Sequence, residues 1–207
     1  MRTRVKICGI TRGEDARYAV DAGADAIGLV FYDKSPRCVS NEQASQISRM
    51  IPAFVSRVAL FKDADQAFVK SVLAQVEIDL LQFHGSETVA YCEQFERPYI
   101  KAIGMRGLEH DADFLISSAE TFRSAKALLL DGHAPGEAGG SGESFDWAAV
   151  SSIDKPVVLA GGLTVENVHQ AIDLVHPYAV DVSSGVESSP GTKDKDKIAA
   201  FMEQVNA

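Results

Sequence analysis

Leu159-Ala-Gly-Gly-Leu-Thr-Val-Glu-Asn-Val168 and Val180-Asp-Val-Ser-Ser-Gly-Val-Glu187 are the two stretches whose reading decides the fold. Each begins as a short apolar run and breaks into a turn of glycine or serine. The first then enters a helical pattern and the second another tight turn. Two strand ends of this kind place small residues and free backbone N–H groups side by side, which suits a phosphate. They also fix a position in a (β/α)8 barrel, after its last two strands.

Working outward, the same alternation of apolar strand and amphipathic segment runs through the chain. Strands are predicted near 4–8, 25–31, 56–62, 79–83, 99–103, 127–131, 157–160 and 179–183, with helices between them and one near 110–118. Thr11-x-x-Glu14 and Ser40-x-x-Gln43 match capping boxes. Ala16, Ala19, Val20 and Gly23 keep helical spacing, and Gly23 is placed to end that helix. Val165, Val168, Ile172 and Val175 share one helical face, as do Ile198, Phe201, Met202 and Val205 in the last helix. Eight such units predict an α/β fold, a closed (β/α)8 TIM barrel of eight parallel strands forming a single domain over 1–207. An open doubly wound sheet would carry a glycine fingerprint after its first strand, and strand 1 ends instead in Cys8-Gly9-Ile10. A glycine-rich loop over 132–144 interrupts the pattern, and loops of that length are commonly functional.

Bulk properties bound the function. With 207 residues and 46% apolar content the chain can build one substantial core. A net charge of −9 leaves no basic footprint for nucleic acid, so an anionic ligand must be held by local donors. No apolar run approaches the ~20 residues of a membrane span. The N-terminus enters a strand without a signal-peptide pattern, and the three cysteines form neither a disulfide framework nor a zinc pattern. The expected setting is the cytoplasm, with no nucleic acid and no membrane as partner. A monomer is the expected state, with a homodimer as the alternative.

Polar residues recur where a barrel core should be. Side chains alternate along a strand. Val5 and Ile7 therefore face the helices, while Lys6 and Cys8 face inward. By the same alternation Gln82 and His84, Leu129 and Asp131, and Asp181 and Ser183 share faces. A buried charge needs a partner, so Lys6 reads as an ion pair with Asp131 or Asp181 or as part of an active site at the strand C-termini. Cys8 is either a small buried filler or, at the end of strand 1, a base. Asp131 either caps a turn or, partly desolvated, acts as an acid. Arg37, in Lys34-Ser-Pro-Arg37, is either a solvated loop charge or a grip on a substrate carboxylate through two parallel hydrogen bonds. His84 reads as a structural histidine on its own. Cys38 and Cys92 read as incidental, and Trp147 as packing. Gly161-Gly162 and Ser183-Ser184-Gly185 are either plain tight connections or a phosphate site.

Seven stretches, in order along nearly the whole chain, resemble phosphoribosylanthranilate isomerases: Lys6-Ile-Cys-Gly-Ile-Thr11, Ser35-Pro-Arg37, Gln82-Phe-His-Gly85, Leu129-Leu-Asp131, Gly139-Gly-Ser-Gly142 with Phe145-Asp-Trp147, Leu159-Ala-Gly-Gly-Leu163 with Asn167-Val168, and Val180 to Glu187. The 132–138 segment departs from the family pattern, and Ser141 stands where threonine is common. The resemblance implies a metal-free, cofactor-free isomerase of tryptophan synthesis acting on a phosphosugar–anthranilate substrate by Amadori rearrangement. It implies Cys8 as base and Asp131 as acid. Arg37 is implied on the anthranilate carboxylate, and backbone donors near Gly161, Gly162, Ser184 and Gly185 on the phosphate, with His84, Asp181 and Ser183 lining the substrate site. The rivals are another phosphosugar aldose–ketose isomerase and a non-catalytic phosphate-binding barrel.

Overall fold

The computed structural model describes residues 2–108, 111–132, 145–147, 150 and 153–207. Eight strands, β1 (Arg4–Cys8), β2 (Ala26–Val30), β3 (Ser56–Phe61), β4 (Leu80–Phe83), β5 (Tyr99–Gly104), β6 (Leu128–Asp131), β7 (Val157–Leu159) and β8 (Ala179–Val182), form close to their predicted positions. They close into one barrel in chain order, with every pairing parallel and β8 returning to β1. Between them lie α1 (Gly13–Asp21), α2 (Asn41–Ser48), α3 (Gln66–Gln75), α4 (Val89–Glu93), α5 (Ala112–Thr121) and α6 (Val168–Val175), and α7 (Lys195–Asn206) ends the chain. The glycine-rich loop expected over 132–144 lies outside the described residues apart from Gly132.

Alternation along the strands divides the core in two. Val5, Ile7, Ile27, Phe61, Phe83 and their neighbours fill the space between barrel and helices. Inside the barrel, Ile100, Ala102, Ala127, Leu129, Val158, Ala160 and Ala179 form a separate apolar cluster. Strands buried on both faces must be nearly continuous apolar runs, which is how Leu128–Leu130 and Val157–Leu159 read. Ile198, Phe201, Met202 and Val205 bury the expected face of α7, and Trp147 packs against the outer core beside the buried Phe145.

Local chemistry sets the helix ends. Ser40 caps α2 by accepting from the Gln43 N–H at 3.1 Å, but the Gln43 side chain donates to the Thr11 carbonyl at 2.6 Å instead of closing the box. The expected Thr11 capping box does not form. Arg12 occupies the cap of α1 with no side-chain bond, and the Thr11 hydroxyl donates to the Gly191 carbonyl at 2.5 Å. A tertiary acceptor has outcompeted the local one. Gly23, at φ +92°, closes α1 as expected: its N–H and that of Ala24 reach back to Val20 and Ala19.

One element was not foreseen. After β8 a single 3-10 turn (Ser184–Val186) leads into an antiparallel hairpin, β9 (Glu187–Ser189) and β10 (Thr192–Lys193), turned at Pro190-Gly191. It sits beside the C-terminal rim, pinned by the Thr11 bond to the turn between β1 and α1 and by the Lys193 N–H donating to Asp15 of α1 at 3.2 Å.

Candidate active site

The C-terminal rim gathers the inward polar residues. Lys6 and Asp181 are opposed in the β1–β8 register, and their side chains meet at 2.8 Å, both buried. Of the two partners weighed for Lys6, the structure selects Asp181. Burial works against the Lys6 ammonium, yet Asp181 and Cys8 outweigh it and hold its pKa above the usual value. Burial pushes the Asp181 carboxyl up, with Lys6 pulling the other way.

Cys8 lies one rung above Lys6, facing Gly28 across the β1–β2 register. A side-chain carbon at Gly28 would stand 2.6 Å from the thiol sulfur, so a glycine there makes room for it. Burial pushes the Cys8 thiol up, and the Lys6 ammonium draws it partly back. The thiol form therefore dominates near neutral pH. The Ser183 hydroxyl donates to the Cys8 carbonyl at 3.0 Å and fastens this end of β1 to the end of β8.

Across the mouth, Asp131 ends β6 and approaches the His84 Nε2 at 3.2 Å. The other ring nitrogen of His84 lies 2.9 Å from the Gln82 amide. His84 is thus held between Gln82 and the candidate acid.

Arg37 reaches the rim from the loop after β2. That loop is folded by a bridge between Val30 and Cys38 and by the Ser35 hydroxyl accepting from the Arg37 N–H. Its stem crosses Gly9, where an added side-chain carbon would come within 2.5 Å of it and where φ is +75°. Arg37 is buried, not solvated. Its Nε and Nη2 donate in parallel to Glu187 at 2.8 Å each. The bidentate carboxylate expected for Arg37 is therefore met within the chain on one edge of the guanidinium, leaving the Nη1 side for a second.

Gly161 and Gly162 both take positive φ, +82° and +67°. Asn167 pins their turn, donating to the Gly162 carbonyl at 2.9 Å and accepting from the Thr164 N–H at 2.8 Å. A side chain at Gly185 would collide with the Leu163 carbonyl, so the turns after β7 and β8 abut. The first N–H groups of the 3-10 turn have no partner within it. One cavity of about 470 Å³ joins all of this, lined by Cys8, Arg37, His84, Asp131, Asp181 and both turns, with Lys34 and Lys62 at its wall. Its volume is that of a small-molecule site. Among the described residues no three His, Cys, Asp or Glu side chains converge as metal ligands would.

The family model described as N-(5'phosphoribosyl)anthranilate (PRA) isomerase matches residues 5–204. The chain belongs to the phosphoribosylanthranilate isomerase family. A family member from Cellvibrio japonicus is 56% identical over 199 residues, covering 96% of this chain and 91% of the relative. Two solved phosphoribosylanthranilate isomerases share the fold at 38% identity, each aligned over 99% of this chain and 98% of theirs. One, described as monomers of a dimeric enzyme from Thermotoga maritima, has a TM-score of 0.83. The other, in complex with reduced 1-(o-carboxyphenylamino)-1-deoxyribulose 5-phosphate, has 0.82. The family motifs at Lys6–Thr11, Ser35–Arg37, Gln82–Gly85, Leu129–Asp131, Leu159–Leu163 and Val180–Glu187 border the cavity. Gly139–Gly142 lies outside the described residues.

Two residues at the rim of this phosphoribosylanthranilate isomerase fold escaped the sequence reading of the site. Glu187 and Lys193 meet at 2.8 Å, with the Lys193 side chain fully buried. Burial opposes the Glu187 carboxylate, but Arg37 and Lys193 together hold its pKa below the usual range. Burial depresses Lys193, with Glu187 pulling it back. A further buried pair, Lys101 with Glu87 at 3.0 Å, braces the turn after β4 that carries His84.

Proposed function

We propose that this chain converts N-(5'-phosphoribosyl)anthranilate into 1-(2-carboxyphenylamino)-1-deoxyribulose 5-phosphate, as a single cytoplasmic, monomeric barrel. One observation carries the reading: Cys8, Asp131, Arg37 and the two glycine turns open into the same cavity. Asp131 protonates the furanose ring oxygen, the C1′–O bond breaks, and a Schiff base forms. Cys8 removes the C2′ proton to give an enolamine, which tautomerises to the ketone. At neutral pH only the small thiolate fraction of Cys8 is active, and Lys6 sustains it. Arg37 takes the anthranilate carboxylate on its Nη1 side. Backbone donors at Gly161, Gly162, Ser184 and Gly185 take the phosphate. His84 orients Asp131, and Asp181 and Ser183 hold Lys6 and the β1–β8 rim. Fixing both anionic ends sets the reacting carbons between acid and base, and positioning of this kind supplies ~7 kcal/mol or more in good cases.

Loss of the substrate's anthranilate fluorescence on mixing with purified protein tests the activity, and no loss overturns it. Arg37→Ala is expected mainly to raise KM, and an unchanged KM removes its carboxylate role. The same preparation is expected to sediment at the mass of one chain. A two-chain mass that Phe54→Ala returns to one would contradict the monomer, since Phe54 stands fully exposed on the loop before β3.

A further inference from the structure

Arg37 poses an electrostatic problem. Its guanidinium is proposed to bind a substrate carboxylate, yet Glu187 already occupies one edge with two hydrogen bonds. A buried Arg–Glu pair is neutral as a unit and offers a second carboxylate little attraction. Lys193 changes the sum. Its ammonium reaches the Glu187 Oε1 at 2.8 Å, the same oxygen that accepts from the Arg37 Nε. The side chains of Arg37, Glu187 and Lys193 are 10%, 5% and 0% exposed. Two cations share one anion, so the cluster is a buried positive unit whose free edge belongs to Arg37.

The same ammonium ties that unit to the rest of the site. Lys193 also donates to the Ser183 carbonyl at 3.0 Å and lies 3.3 Å from its hydroxyl, and that hydroxyl holds the Cys8 carbonyl. Glu187 is fastened from behind, its carbonyl accepting from Lys197 at 2.8 Å. The β9–β10 hairpin, which a plain (β/α)8 alternation does not require, delivers Glu187 on one strand and Lys193 on the other.

Resting on the isomerase reading above, we propose that Glu187 and Lys193 are positioning residues for the reaction: they fix the Arg37 guanidinium edge-on to the substrate carboxylate, keep that end of the cavity positive, and lock it to the β1–β8 rim that carries Cys8. Neither touches the reacting atoms.

A double-mutant cycle on KM tests this, with folding followed separately by urea unfolding. Lys193→Met in the otherwise unchanged enzyme is expected to raise KM about tenfold or more, the scale of one charge-assisted hydrogen bond. In an Arg37→Ala background the same substitution is expected to change KM by less than about twofold, because the residue through which it acts is gone. An equal factor in both backgrounds, or an unchanged KM in folded Lys193→Met protein, overturns the proposal. Should Lys193→Met fail to fold, Glu187→Gln, which keeps shape and removes charge, runs through the same cycle with the same two readings. An unmutated enzyme without turnover, or an Arg37→Ala enzyme with unchanged KM, would instead remove the underlying reading of the site.

Discussion

Cys8 shows how one residue's surroundings set its chemistry. Its thiol is buried among groups that pull in opposite directions, with desolvation raising its pKa and the neighbouring Lys6 lowering it. Thiolate, the alkylatable form, is scarce below the folded pKa and grows as pH rises through it. In a Cys38→Ser background, iodoacetamide should modify Cys8 with a half-maximal pH above the ordinary ~8.5. Lys6→Met should move that value higher still, because the ammonium favours thiolate. A half-maximal pH below that of a free cysteine, or a downward move in Lys6→Met, would contradict this account of the base. Strand alternation alone put Cys8, Lys6, Asp131 and Asp181 on inward faces. It could not reach Lys193. Lys193-Asp-Lys-Asp-Lys197 reads as alternating charge on a solvated helix start. Only the tertiary approach of Glu187 and Ser183 buries the first of those lysines. Arg37 was half legible for a related reason: its loop left a solvated charge and a carboxylate grip equally open, and the internal carboxylate that claims one edge lies 150 positions away in the chain.

At the scale of elements, the β1–β8 seam closes the barrel and carries a buried ion pair at its centre. Lys6 and Asp181 face each other across one rung with side chains 6% and 7% exposed. Such a pair contributes little net stability, because desolvation offsets attraction, but removing one partner strands the other and costs roughly 3–5 kcal/mol. Lys6→Met should therefore lower urea stability by about that amount, and Lys6→Met with Asp181→Leu should recover most of it. Equal losses in the single and double variants would show that the pair itself holds the seam closed. Strands and helix faces were legible because their signals are local and periodic. The Thr11 cap misled because a hairpin carbonyl, distant in sequence, competes for its hydroxyl. That hairpin had a local mark, the Pro190-Gly191 turn, but strands of three and two residues are too short to show alternation.

For the molecule as a whole, the closed barrel turns scattered strand ends into one rim. β1, β6 and β8 are distant in sequence, yet Cys8 and Asp131 at the ends of β1 and β6, and Asp181 one residue before the end of β8, line a single cavity with the turns after β7 and β8. Despite the net charge of −9, Arg37, Lys34 and Lys62 set positive charge locally against this cavity, where the anionic substrate is proposed to bind. The central claim is a division of labour across the cavity, with Cys8 taking a proton on one side and Asp131 giving one on the other. Its most direct test is the turnover of N-(5'-phosphoribosyl)anthranilate by Cys8→Ser and Asp131→Asn beside the unmutated chain. Each variant is predicted to lose ~10²-fold or more in kcat, the contribution of a positioned acid or base, while keeping substrate affinity within about tenfold. Turnover at the unmutated rate in either variant would contradict the account.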